Sequence, residues 1–193
     1  MLPIDFHTHH PSREGERVIQ DGLDTWGVHP WHAHEPYSLP LERGTLMAIG
    51  ECGLDTHAAC PMERQTLVLR QQLLLAGQWH LPVILHCVKC LDTLIALRKA
   101  MRPSVPWVMH GFRGKPQQLR SLIDARFHVS FGFRLNPESL VACPTSRLLL
   151  ETDDDPRPVG LLYQEVARLR GTDVESLTHS MCENFDRIFS PSD

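Results

Sequence analysis

Six side chains of the types that bind divalent cations stand far apart along the chain: His7, His9, Glu51, His86, His110 and Asp153. Imidazole nitrogens and carboxylate oxygens together suit a transition-metal ion, and such an ion activates water for hydrolysis. Asp5, His7 and His9 alternate with Ile4, Phe6 and Thr8, so on a strand the three polar side chains project to one face and two imidazoles reach a common point. Taken alone, an HxH pair reads equally well as hydrogen-bonded histidines. Glu51 ends the segment AIGE on the face of Ile49, where a carboxylate without a partner is costly to bury. His86 follows LPVIL, His110 follows VPWVM, and Asp153 lies just beyond LLL. Each of these, by itself, is more often a satisfied structural residue than a ligand. As a set they are strand ends finishing in His, Glu or Asp, and such a gathering of buried polar groups calls for positive charge at its centre. His7, His9, Glu51 and Asp153 would serve one cation and Glu51, His86 and His110 a second, with Glu51 as the bridge.

The elements that must position these residues are short apolar strands separated by helical stretches. Strands are expected at 3–7, 24–28, 46–51, 82–86, 107–110, 128–131 and 147–151. Met62 to Gly77 reads as a helix, as do the stretches carrying Leu91, Leu94, Ile95 and Met101, and Leu119, Leu122 and Ile123 behind Pro116. Val159, Leu162, Val166 and Leu169 form a further stripe, and Thr172 with Glu175 has capping-box spacing for a last helix. Strand and helix alternate throughout, which predicts an α/β fold with a parallel sheet, either a closed barrel or an open doubly wound sheet. In a barrel the carboxyl ends of the strands form the rim where active sites are built.

Composition narrows the classes. The chain of 193 residues reads as one domain over 1–193. The absence of any apolar run near a membrane span argues against membrane association. A formal charge of −4 argues against a general nucleic-acid coat, so a nucleic-acid substrate would need a local basic patch or bound cations. The opening MLPIDFHTHH carries no export signal, which gives a cytoplasmic expectation. The six cysteines read as free thiols, and Cys87 and Cys90 as packing groups, since no second CxxC completes a zinc ribbon. No Gly-rich phosphate loop and no GxSxG elbow is present.

The segments DFHTH at 5–9, GVHP at 27–30, AIGECGLD at 48–55, LPVILH at 81–86, HGFRG at 110–114, LLETD at 149–153 and NFDRIF at 184–189 resemble, in order, the motifs of the TatD-type metal-dependent hydrolases of the amidohydrolase superfamily. The resemblance implies a TIM-like parallel β/α barrel, one or two divalent ions, and hydrolysis, with DNA the usual substrate. Carried over position by position, it points to the same six residues as ligands. Members usually run longer than this chain. The short interval from His9 to Gly27, where the family fits two βα units and only Arg17 to Gln20 offers a strand, implies a reduced or partly open barrel of about seven strands. A second shortening follows Asp153. Exposed strand edges in such a barrel make a homodimer a reasonable expectation.

Asp153 is the candidate for moving the proton of an activated water, with Glu51 as the catalytic carboxylate between the ions. His29 and Arg113 are candidate substrate contacts, and Arg113 with Lys115, Arg134 and Arg157 would give a local positive rim, while Asp154 and Asp155 add negative charge beside Asp153. Trp31, His32 and His34 would shape the pocket lip, where an aromatic can stack on a base. Four histidines with two carboxylates suit zinc, manganese, iron or nickel better than magnesium, although the family is often described as magnesium-dependent. The leading function is a metal-dependent phosphodiesterase or deoxyribonuclease. A metallohydrolase of a small ester, amide or lactone and a non-catalytic, metal-stabilised scaffold are the alternatives.

Overall fold

The computed structural model describes residues 1–189. Among them are eight parallel strands: β1 (Ile4–Thr8), β2 (Arg17–Gln20), β3 (Thr25–Trp26), β4 (Ala48–Asp55), β5 (Val83–Val88), β6 (Trp107–Met109), β7 (His128–Phe131) and β8 (Leu148–Leu150). Six helices accompany them: α1 (Met62–Trp79), α2 (Leu91–Met101), α3 (Pro116–Asp124), α4 (Pro137–Ala142), α5 (Val159–Arg170) and α6 (Val174–Phe189). Ladder pairing runs in chain order from β3 to β8, and separately joins β1 to β2. A parallel bridge between Thr8 and Asp153 brings β1 beside the end of β8. There the Asp153 N–H donates to the His7 carbonyl at 3.0 Å and the His9 N–H to the Asp153 carbonyl at 3.1 Å.

The arrangement is that of a TIM-like barrel with one unpaired seam, between β2 and β3. Only residues 9–16 separate β1 from β2, and only 21–24 separate β2 from β3, whereas a crossover helix takes roughly a dozen residues or more. The partly open parallel barrel expected from the sequence, of about seven strands, has eight. Arg17–Gln20 does form a strand, and what the shortening removes is the pair of outer helices. The seam is tied at its upper end by Asp21, whose carboxylate accepts from the Thr25 hydroxyl at 2.8 Å and from the Glu51 N–H at 3.1 Å.

Two apolar layers hold the barrel. Outside, Ile49, Cys52, Leu54, Val83, Leu85 and Trp107 pack against helical Leu69, Leu73, Leu94 and Leu122. Inside, Ile4, Phe6, Ile19, Ala48, Ile84, Val108 and Leu149 fill the lower half, and Phe185 and Ile188 of α6 close it from below. Each such side chain contributes about 1.5–3 kcal/mol when fully buried. α1 runs past Gly77 to Trp79, because His80 takes the left-handed capping conformation at φ 55° in place of a glycine. The last helix is capped by Asp173 rather than Thr172: its carboxylate accepts from the Ser176 N–H and hydroxyl, both at 2.7 Å, one residue closer to the helix than the Thr172–Glu175 spacing implied.

Candidate metal centre

The two strands that carry the HxH pair and Glu51 are both bulged. In β1, Asp5 pairs with Val18 but Thr8 with Gln20; in β4, Ile49 pairs with Val83 but Cys52 with Leu85. One extra residue in each strand resets the alternation of side chains. Ile49 and Cys52 both stay in the outer layer while Glu51 turns into the mouth. Ile4 and Phe6 stay inside, and beyond the bulge so do His7 and His9. The single face expected for Asp5, His7 and His9 is therefore not observed. Asp5 turns sideways to Thr152, accepting its N–H at 2.8 Å and its hydroxyl at 2.6 Å, and clamps the segment that delivers Asp153. Burial raises the Asp5 carboxyl to about 7 against the lowering by those Thr152 hydrogen bonds.

Around Glu51 the six expected residues converge. Its Oε2 lies 3.5 Å from His7 Nε2 and 3.7 Å from His9 Nε2; its Oε1 lies 2.6 Å from His86 Nδ1 and 2.8 Å from His110 Nε2. Asp153 Oδ1 is 3.4 Å from His9 Nε2 and 3.9 Å from His7 Nε2. Asp153 sits at φ +57°, a left-handed conformation that Asp tolerates better than most residues, held by the two backbone hydrogen bonds to β1. Two glycines of the motifs are sterically required. A Cβ on Gly53 would lie 2.0 Å from the His86 carbonyl oxygen, and one on Gly27 2.6 Å from the Gly50 carbonyl carbon.

Sequence reasoning missed a second ring of carboxylates behind the histidines. Asp21 Oδ2 stands 3.6 Å from His9 Nδ1, Asp55 Oδ2 3.3 Å from His86 Nε2, and Glu151 Oε1 3.4 Å from His110 Nδ1. Such partners orient a ligating imidazole and raise its basicity. Asp55 is fixed in turn by Gln65 of α1, which donates to its carbonyl at 3.0 Å and accepts its N–H at 2.8 Å. Gln72 of the same helix holds Val28 in the same two-handed way. Glutamines at positions 65 and 72 lie in the helical pattern, and their spacing of two turns on one face was the available signal.

The residues present fit a cation. His7 is fully buried with neither ring nitrogen hydrogen-bonded, and Glu151 Oε2 is likewise buried without a partner. Such groups are costly unless something satisfies them, and a positive ion facing Glu51 and Asp153 would satisfy His7 Nε2. Charge tells the same story. Burial would raise Glu51, yet His110, His29 and His7 outweigh it and hold the carboxyl far below its usual range. Burial is likewise outweighed at Asp153, kept ionised by the His9 hydrogen bond and by His110 and His7. A hydrogen bond to Asp153 raises His9, and Glu51 with Glu151 lifts His110 well above the ordinary histidine value in spite of burial. The anionic oxygens draw protons onto imidazoles, and a bound cation displaces such protons.

His29 joins the cluster, its Nε2 3.3 Å from Glu51 Oε1 and its Nδ1 accepting the Trp31 N–H at 3.2 Å. Arg113 is exposed on the wall of a side cavity and reaches none of the six. The expected positive rim is corrected: Arg134 pairs with Asp154 at 3.6 Å and Arg157 with Asp155 at 2.7 Å, so these charges cancel, and Lys115 lines neither cavity of the mouth. Cys87 and Cys90 are packed thiols with raised pKa, Cys87 by burial to about 11. Two cavities of about 680 and 530 Å³ open on either side of the centre and share Trp31, His86, His110 and Asp153.

The chain is similar to known proteins in sequence and in fold. A 3'-5' ssDNA/RNA exonuclease TatD of Pantoea ananatis is 31% identical over 92% of this chain and 83% of its own length. An uncharacterized metal-dependent hydrolase, YabD, of Bacillus subtilis is 29% identical over 75% of this chain and 65% of its own. The crystal structure of YJJV, a TatD homologue from Escherichia coli K12, superposes with a TM-score of 0.78 at 24% identity, covering 94% of this chain and 79% of that one. The family model described as TatD related DNase matches residues 4–190, nearly end to end. The chain belongs to that family of metal-dependent hydrolases.

Proposed function

We propose that the chain hydrolyses phosphodiester bonds in single-stranded nucleic acid, at a centre of one or two divalent cations held by His7, His9, Glu51, His86, His110 and Asp153. The observation that carries this reading is the division of Glu51: one carboxylate oxygen faces His7 and His9, the other His86 and His110. A carboxylate so shared is what two adjacent cation positions require. When bound, the ions supply charge for the scissile phosphate and acidify water. Nitrogen donors favour zinc, manganese or nickel over magnesium. The polymer substrate is supported by the name of the Pantoea relative and by a mouth open on two sides of the centre.

The protein's own groups do the rest. Asp153, held ionised, accepts the proton of the attacking water and returns one to the leaving oxygen. Asp21, Asp55 and Glu151 hold His9, His86 and His110 in orientation. His29 donates from Nε2 to Glu51 and faces the substrate side, and Arg113 meets a flanking phosphate. Six unpaired cysteines suit a reducing compartment, in keeping with a cytoplasmic enzyme. Among the described residues no helix is long and apolar enough to cross a membrane. The test is release of nucleotides from labelled single-stranded DNA by protein stripped with chelator and reloaded with manganese, zinc or magnesium. Ion-dependent release that disappears in His86→Ala supports the reading; release that persists in chelator, or in that variant, overturns it.

A further inference from the structure

An exposed indole at the mouth is wired to the buried centre. Trp31 is 55% exposed, and a lone exposed aromatic by itself means little. Its polar edge is what sets it apart. Nε1–H donates to Asp55 Oδ2 at 2.7 Å, and that same oxygen lies 3.3 Å from His86 Nε2. The other nitrogen of His86, Nδ1, is the one turned to Glu51 at 2.6 Å. Asp55 cannot drift, since its second oxygen accepts the His57 N–H at 2.7 Å and Gln65 grips its backbone. A second route runs through the backbone: the Trp31 N–H donates to His29 Nδ1, and His29 Nε2 meets Glu51. The His29 ring stands edge-on to the indole, 5.1 Å away at 88°. One edge of the indole is thus pinned, and the ring borders both cavities, within reach of a strand that lies across the centre.

We propose that Trp31 is the nucleobase platform of this site and that its indole N–H, acting through Asp55, fixes His86 with Nδ1 toward Glu51. The proposal rests on the hydrolase reading above and deepens it. Stacking on an aromatic is sequence-tolerant because every base has a π-face. An acceptor shared between indole and imidazole keeps the proton of His86 on Nε2 and frees Nδ1. Trp31 is then a positioning and specificity residue, and its two parts are separable. Trp31→Phe keeps a face for the base and loses the N–H; Trp31→Ala loses both.

The probes are a short oligodeoxythymidine, its abasic counterpart and manganese. With chelator-stripped protein, the oligonucleotide should quench tryptophan fluorescence, the abasic strand should not, and Trp31→Phe should bind without the quench. Trp31→Ala should weaken binding and raise KM by roughly 5- to 150-fold, the range of base–aromatic stacking. Trp31→Phe should leave KM within about threefold while kcat and manganese affinity fall, by up to about tenfold, the lower end of what loss of a partner behind a ligand produces. Circular dichroism and thermal midpoints confirm that both variants fold. Equal behaviour of Phe and Ala, or tight binding by Trp31→Ala, overturns the proposal. Turnover without quench or KM change sinks the platform and leaves the hydrolase; quench without turnover does the reverse; absence of both overturns the two together.

Discussion

His110 and His128 lie at opposite ends of neighbouring strands, both inside the barrel, and their surroundings are mirror images in charge. His110, at the mouth, stands between Glu51 and Glu151 and is raised well above the ordinary histidine value although burial opposes it. His128, 7% exposed at the floor, is lowered to about 4 by burial and by Arg147, Arg187 and Arg98. Arg147 Nη1 is 3.2 Å from His128 Nε2, and Arg98 covers Trp107 and Phe127. Carboxylates are thus gathered at the carboxyl ends of the strands and guanidinium groups at the amino ends. The mouth sets carboxylates against imidazoles that they hold protonated, whereas the floor carries a neutral imidazole among guanidinium groups. Function and folding are divided between the ends of one barrel.

The comparison breaks most visibly at Asp153. Asp153→Asn removes the proposed proton acceptor while keeping size and backbone hydrogen bonds, so activity should fall roughly 10²- to 10⁴-fold. The thermal midpoint of the stripped protein should drop modestly with it, since the native site favours the ionised carboxylate beside His9, His110 and His7. A variant that keeps a tenth of its activity would show that the proton goes elsewhere.

At the floor the effect is on stability and its sign follows from linkage. Above the unfolded-state value of 6.5, His128 is neutral in both states and contributes nothing. Below it the unfolded chain takes up a proton that the native site refuses until about pH 4, so stability is lost as pH falls through that window. At about 1.4 kcal/mol per pKa unit, the full loss is about 3 kcal/mol. Urea midpoints at pH 7.5, 5.5 and 4.5 for the stripped protein and for His128→Gln measure it: the variant should lose less between the first and last points. Parallel profiles would mean that the floor relaxes or hydrates.

Cation binding should restore the balance at the mouth alone. An ion at about a hundred times its dissociation constant adds about 2.7 kcal/mol, which for a chain of this size is a rise of roughly 5–10 °C in Tm. Scanning calorimetry with manganese or zinc should show that rise in the native sequence and in His128→Gln, and lose it in Glu51→Ala. A rise that survives Glu51→Ala would place the ion outside the cluster.

How far the sequence reached follows the same division. The alternation of strands and helices and the six converging side chains were legible because strand ends finishing in His, Glu or Asp are local signals. The bulges at His7 and Glu51 were not, since an extra residue is defined only against the neighbouring strand's register. For the same reason Asp5 was grouped with the histidines, although it clamps the Thr152 segment that delivers Asp153. Asp21, Asp55 and Glu151 went unread because a carboxylate behind an imidazole is set by tertiary approach. Arg17–Gln20 is too short for periodicity to separate from a loop, and it became β2 only through pairing with β1.

The smallest effects separate the rim charges from one another. Arg134 is exposed and its pair with Asp154 spans 3.6 Å, a geometry worth at most about 1 kcal/mol, so Arg134→Ala should leave both Tm and KM nearly unchanged. Arg113 has no carboxylate partner among the described residues and lines the cavity on the His86 and His110 side. If it meets a flanking phosphate, Arg113→Ala should raise KM a few-fold with kcat unchanged, and should reduce the steepness with which KM rises as salt is added, because one fewer counterion is released on binding. Arg134→Ala carries no such salt signature, its charge being already cancelled by Asp154. Identical salt slopes for the native chain and Arg113→Ala would remove Arg113 from the substrate path, leaving the cations at the mouth as the attraction for phosphate.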